Sequence, residues 1–369
     1  MHLSRLSLLD LRNHREAELD LGPQVNCLTG PNGAGKTNLL DAVHYLSLCT
    51  SYFTNEDQLN IRHGADLFVV QGIVATAEGE DHLLCSVRRG HRKIFSRNRK
   101  EYDRLSDHVG RMPVVMITPY DGQLVTDGSD LRRRFLDGLI AQFDREYLEA
   151  LLRYNRALAQ RNAVLKNGGG IAALEPWDEQ LVRQGEAVHL VRKAFMDQLV
   201  PLLLEHYRGI SGGHEEVGLD YRSELSGGSM RDLLAASRER DRAAEHTTVG
   251  VHRDDLVFTI GGHPLKRFGS QGQQKTYLIA LKLAQFDLTA QRTGIRPILL
   301  LDDIFDKIDP QRMRHLLALL GGGRFGQTII TDTDARRLHQ ALDGLGLDTR
   351  FFLIDHTGLH HETLQRTVA

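Results

Sequence analysis

The chain has 369 residues, a formal net charge of −2, 41% hydrophobic and 25% charged residues. That length calls for two or three domains, or one large domain with an insertion, and the composition is that of a folded globular protein rather than a disordered one. No apolar run approaches the ~18 residues that span a bilayer, residues 1–13 lack the apolar stretch of a signal peptide, and a near-neutral balance confines any nucleic-acid contact to a local patch; the expected location is cytoplasmic, with no membrane partner.

Residues 3–11 and 18–21 read as short strands, and the apolar segment 25–29 as a third strand running straight into a glycine-rich loop. Residues 37–49 follow as a helix with Leu39, Leu40, Val43, Leu46 and Leu48 as its apolar positions. From 67 to 102 the pattern is strand-like, with hairpin turns at Arg89-Gly90 and at Asn98, and 114–117 is a further buried strand. After Pro119 the character turns helical. Residues 130–143 read as a helix, and 145–166 place Tyr147, Leu151, Tyr154, Leu158 and Leu165 at alternating spacings of four and three, with Arg161 in one apolar slot. Trp177, Leu181, Val188, Val191 and Phe195 repeat that spacing beyond the Asn167-Gly168-Gly169-Gly170 turn, with Gln184 in one slot. Two such helices predict a short antiparallel coiled coil. About 22 residues at ~1.5 Å each give an arm of roughly 33 Å, and Pro201 is expected to kink its second helix. Strands resume at 217–221 and 256–260, a helix covers 273–290, and 298–301, 328–331 and 353–355 are short strands. The expected fold is therefore α/β, a head split in sequence by a mainly helical arm. The expected boundaries are 1–120 and 246–369 for the head and 121–245 for the arm. Cys27, Cys49 and Cys85 stand apart among apolar residues without metal-ligand spacing and are expected to be small buried hydrophobes.

Gly30-Pro31-Asn32-Gly33-Ala34-Gly35-Lys36-Thr37 matches G-x-x-x-x-G-K-T with a strand before it and a helix after it. Backbone N–H groups in such a loop wrap phosphates, aided by the helix dipole; Lys36 would neutralise β/γ oxygens and Thr37 would ligate Mg²⁺. The apolar strand 298–301 ends in Asp302 and Asp303. Two carboxylates at a buried strand end need a cation or a partner nearby; with a P-loop present the cation is expected to be Mg²⁺, held by Asp302, with Asp303 polarising the attacking water. Ser270 and Gly272 open the helix that precedes this strand. Alone that is a weak signal, but its spacing is that of an ABC signature, where these residues would reach the γ-phosphate held by a second subunit. Asp306-Lys307-Ile308-Asp309 stands in the D-loop position.

Taken with these motifs, Leu11-Arg12-Asn13, Arg133-Arg134-Phe135-Leu136-Asp137, Tyr154-Asn155-Arg156-Ala157-Leu158-Ala159-Gln160-Arg161-Asn162 and Val251-His252-Arg253-Asp254-Asp255-Leu256 resemble the RecF family of bacterial recombination mediators, relatives of SMC heads, essentially end to end. The resemblance implies a slow DNA-dependent ATPase that binds ATP with Mg²⁺ and forms an ATP-dependent homodimer. It also implies binding to double-stranded DNA near single-strand/double-strand junctions. With RecR, and through it RecO, such proteins help load RecA in repair, replication and the SOS response. Three departures from general ABC heads point to slow hydrolysis: Asp303 stands where transporters have Glu, Thr331-Asp332-Thr333-Asp334 replaces the switch histidine, and no Q-loop glutamine is clear beyond Gln58. DNA contact is assigned to a basic hairpin, with Arg89, Arg92 and Arg97 as candidates for phosphate. A transporter subunit would need a different signature and a smaller insertion. A structural SMC protein would need a far longer coiled coil, and an ATPase-nuclease would need more than the ~60 residues that follow the D-loop.

Overall fold

The computed structural model describes residues 1–304, 316, 324–355 and 358–362; the D-loop position, Asp306 to Asp309, lies outside them. The chain forms two compact units, one from Met1–Asp121 with Gln285–Ala369 and one from Gly122–Ala284. The first unit opens with β1 (His2–Leu11), β2 (His14–Asp20), β3 (Val25–Thr29), α1 (Lys36–Leu48), β4 (Leu67–Thr76), β5 (Gly79–Arg88), β6 (Ile94–Arg97), β7 (Lys100–Glu101) and β8 (Val114–Ile117). The second unit holds α2 (Ser129–Ile140), α3 (Arg145–Lys166), α4 (Ile171–Ser211), β9 (Val217–Arg222), α5 (Met230–Ala244), β10 (Asp255–Ile260) and β11 (His263–Pro264). The boundary at Ala284 falls within α6 (Gln271–Thr293), after which β12 (Ile298–Asp302), β13 (Thr328–Asp332), α7 (Ala335–Leu342), β14 (Thr349–Asp355) and β15 (Gly358–Glu362) complete the first unit.

The first unit packs two sheets against helix α1. An antiparallel sheet runs β2-β1-β4-β5-β6-β7, and a second sheet runs β15-β14-β3-β13-β12-β8, parallel except for β15. Helix α1 touches β1, β4 and β5 of one sheet and β8, β12 and β13 of the other. It is therefore buried on nearly every side, including the polar Asp41, His44 and Ser47. Leu3, Leu6 and Phe68 from one sheet, Leu28, Leu300 and Ile329 from the other, and Leu39, Leu40 and Leu46 from α1 form one core. Cys27, Cys49 and Cys85 are buried thiols within the unit. The turn at Asn98-Arg99 has both residues at positive φ and Gly90 lies at φ 71°, the backbone that tight hairpins require.

In the second unit α3 and α4 pack along the expected seam. Tyr147, Tyr154 and Arg161 are buried seven residues apart on α3, and Leu174, Leu181, Val188 and Phe195 seven apart on α4. Helix α4 is longer than its pattern suggested. It runs for 41 residues with Pro176 and Pro201, the position of the expected kink, both inside it. Helix α5 had no counterpart in the sequence reading. Its buried stripe is Met230, Leu234, Ser237 and Asp241, half of it polar, and such a stripe carries little hydrophobic signal. The second unit also extends past the expected residue 245 to Ala284. The reason is pairing: β9 and β10 run antiparallel from Val217↔Ile260 to Asp255↔Arg222, which ties the later segment to the arm.

Candidate functional site

Every residue of β3 is buried, and the strand lies between β14 and β13, both parallel to it. It delivers the glycine-rich loop at its C-terminal end. Gly30 sits at φ 144°, and a Cβ there would lie 1.9 Å from the Ile354 carbonyl oxygen, so no side chain fits. Gly35 sits at φ 99°, and a Cβ there would lie 2.5 Å from the side chains of Asn13 and His14. Those two side chains hold the loop from the β1–β2 turn: Asn13 Nδ2 donates to the Ala34 carbonyl at 3.1 Å, and His14 Nε2 lies 3.0 Å from the Gly35 carbonyl, to which it donates. Burial pulls the His14 imidazole below its usual range, so it stays neutral near pH 7. Arg12 braces the helix behind, with Nη2 3.2 Å from Asp41 Oδ2 and Nε 2.9 Å from Asn60 Oδ1. Arg12 and Asn13 were flagged only by resemblance, and His14 was missed: a turn of three polar residues carries no local sign that it faces a loop twenty residues on.

Helix α1 begins at this loop with Gly35 as N-cap, no side-chain cap and no acidic residue in its first turn. Its first N–H groups therefore lack the usual intrahelical partners, which is the arrangement that accepts an anion. The buried Lys36 ammonium donates to the carbonyls of Gly30 at 2.7 Å and Pro31 at 2.9 Å. Desolvation pulls its pKa below the ordinary lysine value, opposed by the carboxylates of Asp303, Asp302 and Asp332. The Thr37 hydroxyl donates to Asp302 at 2.8 Å from Oδ1 and 3.1 Å from Oδ2, joining the loop to the end of β12 across 265 residues of sequence. Burial raises the Asp302 pKa, offset by hydrogen bonds from Thr331 and Thr37. Asp303 follows at φ 47°, a left-handed backbone for a non-glycine residue.

The expected nucleotide-site residues Lys36, Thr37, Asp302 and Asp303 thus converge. Ser270 and Gly272 lie exposed in the second unit, at the start of α6. Ser270 closes a reciprocal capping box: Gln273 N–H donates to Ser270 Oγ at 3.2 Å, and Ser270 N–H donates to Gln273 Oε1 at 2.8 Å. Gln58 is exposed on the short turn Asp57–Asn60, where the neighbouring Asn60 is the residue that reaches Arg12. At the switch position, Thr331 and Asp332 are fully buried, and Asp332 pairs with Arg337 Nη2 at 2.6 Å.

The basic hairpin candidates differ in their freedom. Arg89 and Arg92 are exposed and, among the described residues, donate to main-chain carbonyls, of Ala65 at 3.3 Å and of Asp103 at 3.1 Å. Arg97 pairs with Asp81 at 2.8 Å, and this partner raises its pKa. Lys93, in the same stretch, turns inward to the Cys49 carbonyl at 2.6 Å and Asp57 at 2.7 Å. Several side chains of the second unit, within and beside the family-like motifs, are paired in its interior, while Arg134, Arg156 and Arg253 are exposed. Arg161 donates to Asp178 at 2.6 Å and Asp241 at 2.7 Å. Arg192 joins Asp137 at 2.8 Å to Asp254 at 2.6 Å, Tyr154 lies 2.8 Å from His252, and Arg132 pairs with Asp255 at 2.7 Å.

Comparison with known proteins follows the same lines. The model of the RecF/RecN/SMC N terminal domain family matches residues 2–350. The DNA replication and repair protein RecF of Phocaeicola vulgatus is 46% identical over 359 residues, 96% of this chain and 97% of its own. That of Flavobacterium johnsoniae is 41% identical over 342 residues, 91% and 95% of the two chains. Among solved structures, the recombination mediator protein RecF of the RecFOR pathway superposes as RecF-ATPrS with a TM-score of 0.87 and as RecF-ATP with 0.88. Each is 27% identical and covers 98% of both chains. The Smc head of Pyrococcus furiosus, at 14% identity and a TM-score of 0.59 over 99% of this chain and 96% of its own, shares the fold. This chain belongs to the RecF family of DNA replication and repair proteins, within the RecF/RecN/SMC group of ABC-type ATPases.

Proposed function

We propose that the chain is an ATP-operated clamp on DNA in recombinational repair. The observation that carries this reading is the meeting of the Thr37 hydroxyl with the Asp302 carboxylate beside the buried Lys36 ammonium. One hydroxyl and one carboxylate suit Mg²⁺, which takes few protein ligands and completes its shell with phosphate oxygens and water. Thr37 and Asp302 would hold the ion, and its chemistry there would be to neutralise charge on the transferring phosphoryl group. Gly30 to Thr37 bind the triphosphate through main-chain N–H groups and the α1 N-terminus. Lys36 then exchanges its two carbonyl partners for phosphate oxygens. Asp303 orients the attacking water, and its short side chain keeps turnover below about 1 s⁻¹, under the usual enzyme range.

Ser270 and Gly272, exposed at the head of α6, reach the γ-phosphate of a second copy, so that ATP joins two chains. The dimer grips double-stranded DNA near gap junctions, with Arg89 and Arg92 on phosphates and Arg97 in a lesser part. It acts with RecR, and through it RecO, in loading RecA, in keeping with the RecFOR pathway of the similar solved structures. Sedimentation with and without ATP and Mg²⁺ tests this. The wild type should pass from monomer to dimer on ATP, Ser270→Arg should bind ATP yet stay monomeric, and Asp303→Asn should stay dimeric because water is no longer polarised. A dimer that ignores nucleotide, or a Ser270→Arg protein that dimerises normally, would overturn the clamp.

A further inference from the structure

The parallel sheet places one strand between the loop-bearing strand and the acid-bearing strand: the order is β3-β13-β12. Near the end of β13, Thr331 lies in register with Leu28 on one side and with Asp302 on the other. Its side chain is fully buried, and its hydroxyl is used twice. It donates to Asp302 Oδ1 at 2.8 Å and accepts the Asp303 main-chain N–H at 2.9 Å. A hydroxyl has a single proton, so the bond to the carboxylate fixes its direction and turns a lone pair to the Asp303 N–H.

We infer that Thr331 is a positioning residue for ATP cleavage, its hydroxyl setting the Asp302 carboxylate and the Asp303 backbone together in the place where a switch side chain would stand. The inference rests on the ATPase reading above. With Oδ1 shared between Thr331 and Thr37, Oδ2 has, among the described residues, the longer Thr37 bond alone, so Thr331 decides which oxygen of Asp302 stays available to a cation. The same hydroxyl restrains Asp303 at φ 47°, a left-handed conformation that persists in a non-glycine residue only where its surroundings hold it. Neighbouring Asp332, in register with Thr29 beneath the loop, is anchored by Arg337 and by the Asp334 N–H at 2.8 Å, so the segment that carries Thr331 is itself fixed.

Valine has the shape of threonine without its hydroxyl, so Thr331→Val removes both bonds at nearly constant volume. The test compares wild type, Thr331→Val, Thr331→Ala and Thr331→Ser, with duplex DNA present. Steady-state hydrolysis and the binding of a fluorescent ATP analogue are measured across a Mg²⁺ titration. Groups that orient metal ligands typically contribute about 10–100-fold to activity or metal affinity. Thr331→Val should lose kcat in that range and need more Mg²⁺ for tight analogue binding. Its metal-free analogue affinity should be unchanged, and Thr331→Ser should stay within about threefold of wild type. If the valine protein does not fold, alanine against serine gives the same decision. Valine or alanine with wild-type kcat and Mg²⁺ dependence would overturn the inference, as would a serine protein impaired as badly as they are. A wild type that neither binds nor hydrolyses ATP would overturn the ATPase reading itself.

Discussion

Lys36 keeps a charge in a buried place that favours the neutral amine. Three carboxylates oppose that tendency, and two carbonyls accept its protons. The ammonium is thus held where an incoming phosphate can replace the carbonyls. Charge-assisted hydrogen bonds contribute about 1.5–3 kcal/mol, so Lys36→Met should weaken ATP binding at least about tenfold in a fluorescence titration; wild-type affinity in that variant would refute the P-loop assignment. A second residue-scale expectation concerns His108. Its ring is fully buried, lies 2.6 Å from the Leu46 carbonyl and 3.3 Å from the Tyr102 hydroxyl, and desolvation depresses its pKa to about 4. The folded value lies below the unfolded value of about 6.5, so the unfolded chain takes up the proton first. Stability therefore falls as pH drops from about 6.5 to about 4, by an amount of order 3 kcal/mol. Thermal unfolding against pH should show that decline, and a non-titrating His108→Gln protein should show less of it. Equal slopes for the two proteins would remove His108 as the cause.

The helices of the second unit owe their register to charge as much as to apolar packing. Arg161 occupies an apolar slot of α3, fully buried, with Asp178 on α4 and Asp241 on α5 as partners and Thr247 at 2.9 Å. A buried pair adds little net stability over an apolar substitute, but removing one partner strands the other charge at a cost of about 3–5 kcal/mol. Arg161→Leu should therefore destabilise the unit by that amount in denaturant unfolding, and adding Asp241→Asn should restore part of it. No loss in the single variant would show the cluster to be energetically idle. The heptad spacing of these helices was legible because it is local: every seventh residue faces the seam whatever the seam contains. The partners were not legible. Arg161 meets Asp241 across 80 residues and Arg192 meets Asp254 across 62, and nothing in either neighbourhood encodes the other. Asp137, Arg161 and Asp254 thus hold segments of the second unit together, while Arg89 and Arg92 lie exposed on the hairpin.

For the molecule as a whole, a DNA grip made only of phosphate contacts predicts steep salt dependence without sequence preference. Even two or three such contacts weaken binding at least about tenfold between roughly 50 and 200 mM salt. Charge reversal at Arg89 and Arg92 should lower affinity and flatten that slope. Reversal at Arg97 should do less, because its charge is already paired with Asp81. A strong preference for one duplex over shuffled ones, or an unchanged slope in the Arg89 and Arg92 variants, would exclude this surface.

The sequence by itself determined the P-loop, the two acids, the hairpins, the heptads and the family. All but the family depend on residues close in the chain, where backbone geometry alone converts spacing into structure, and the family rests on several such local motifs. Only the tertiary structure decided that β13 separates the loop from the acids, that Thr331 joins Asp302 to Asp303, that Asn13 and His14 brace the loop, and that residues 246–284 belong with the arm. Those are pairings between distant segments. Strand order and burial select them when each unit closes on its own core, because an unpaired buried polar group costs more than any local preference recovers.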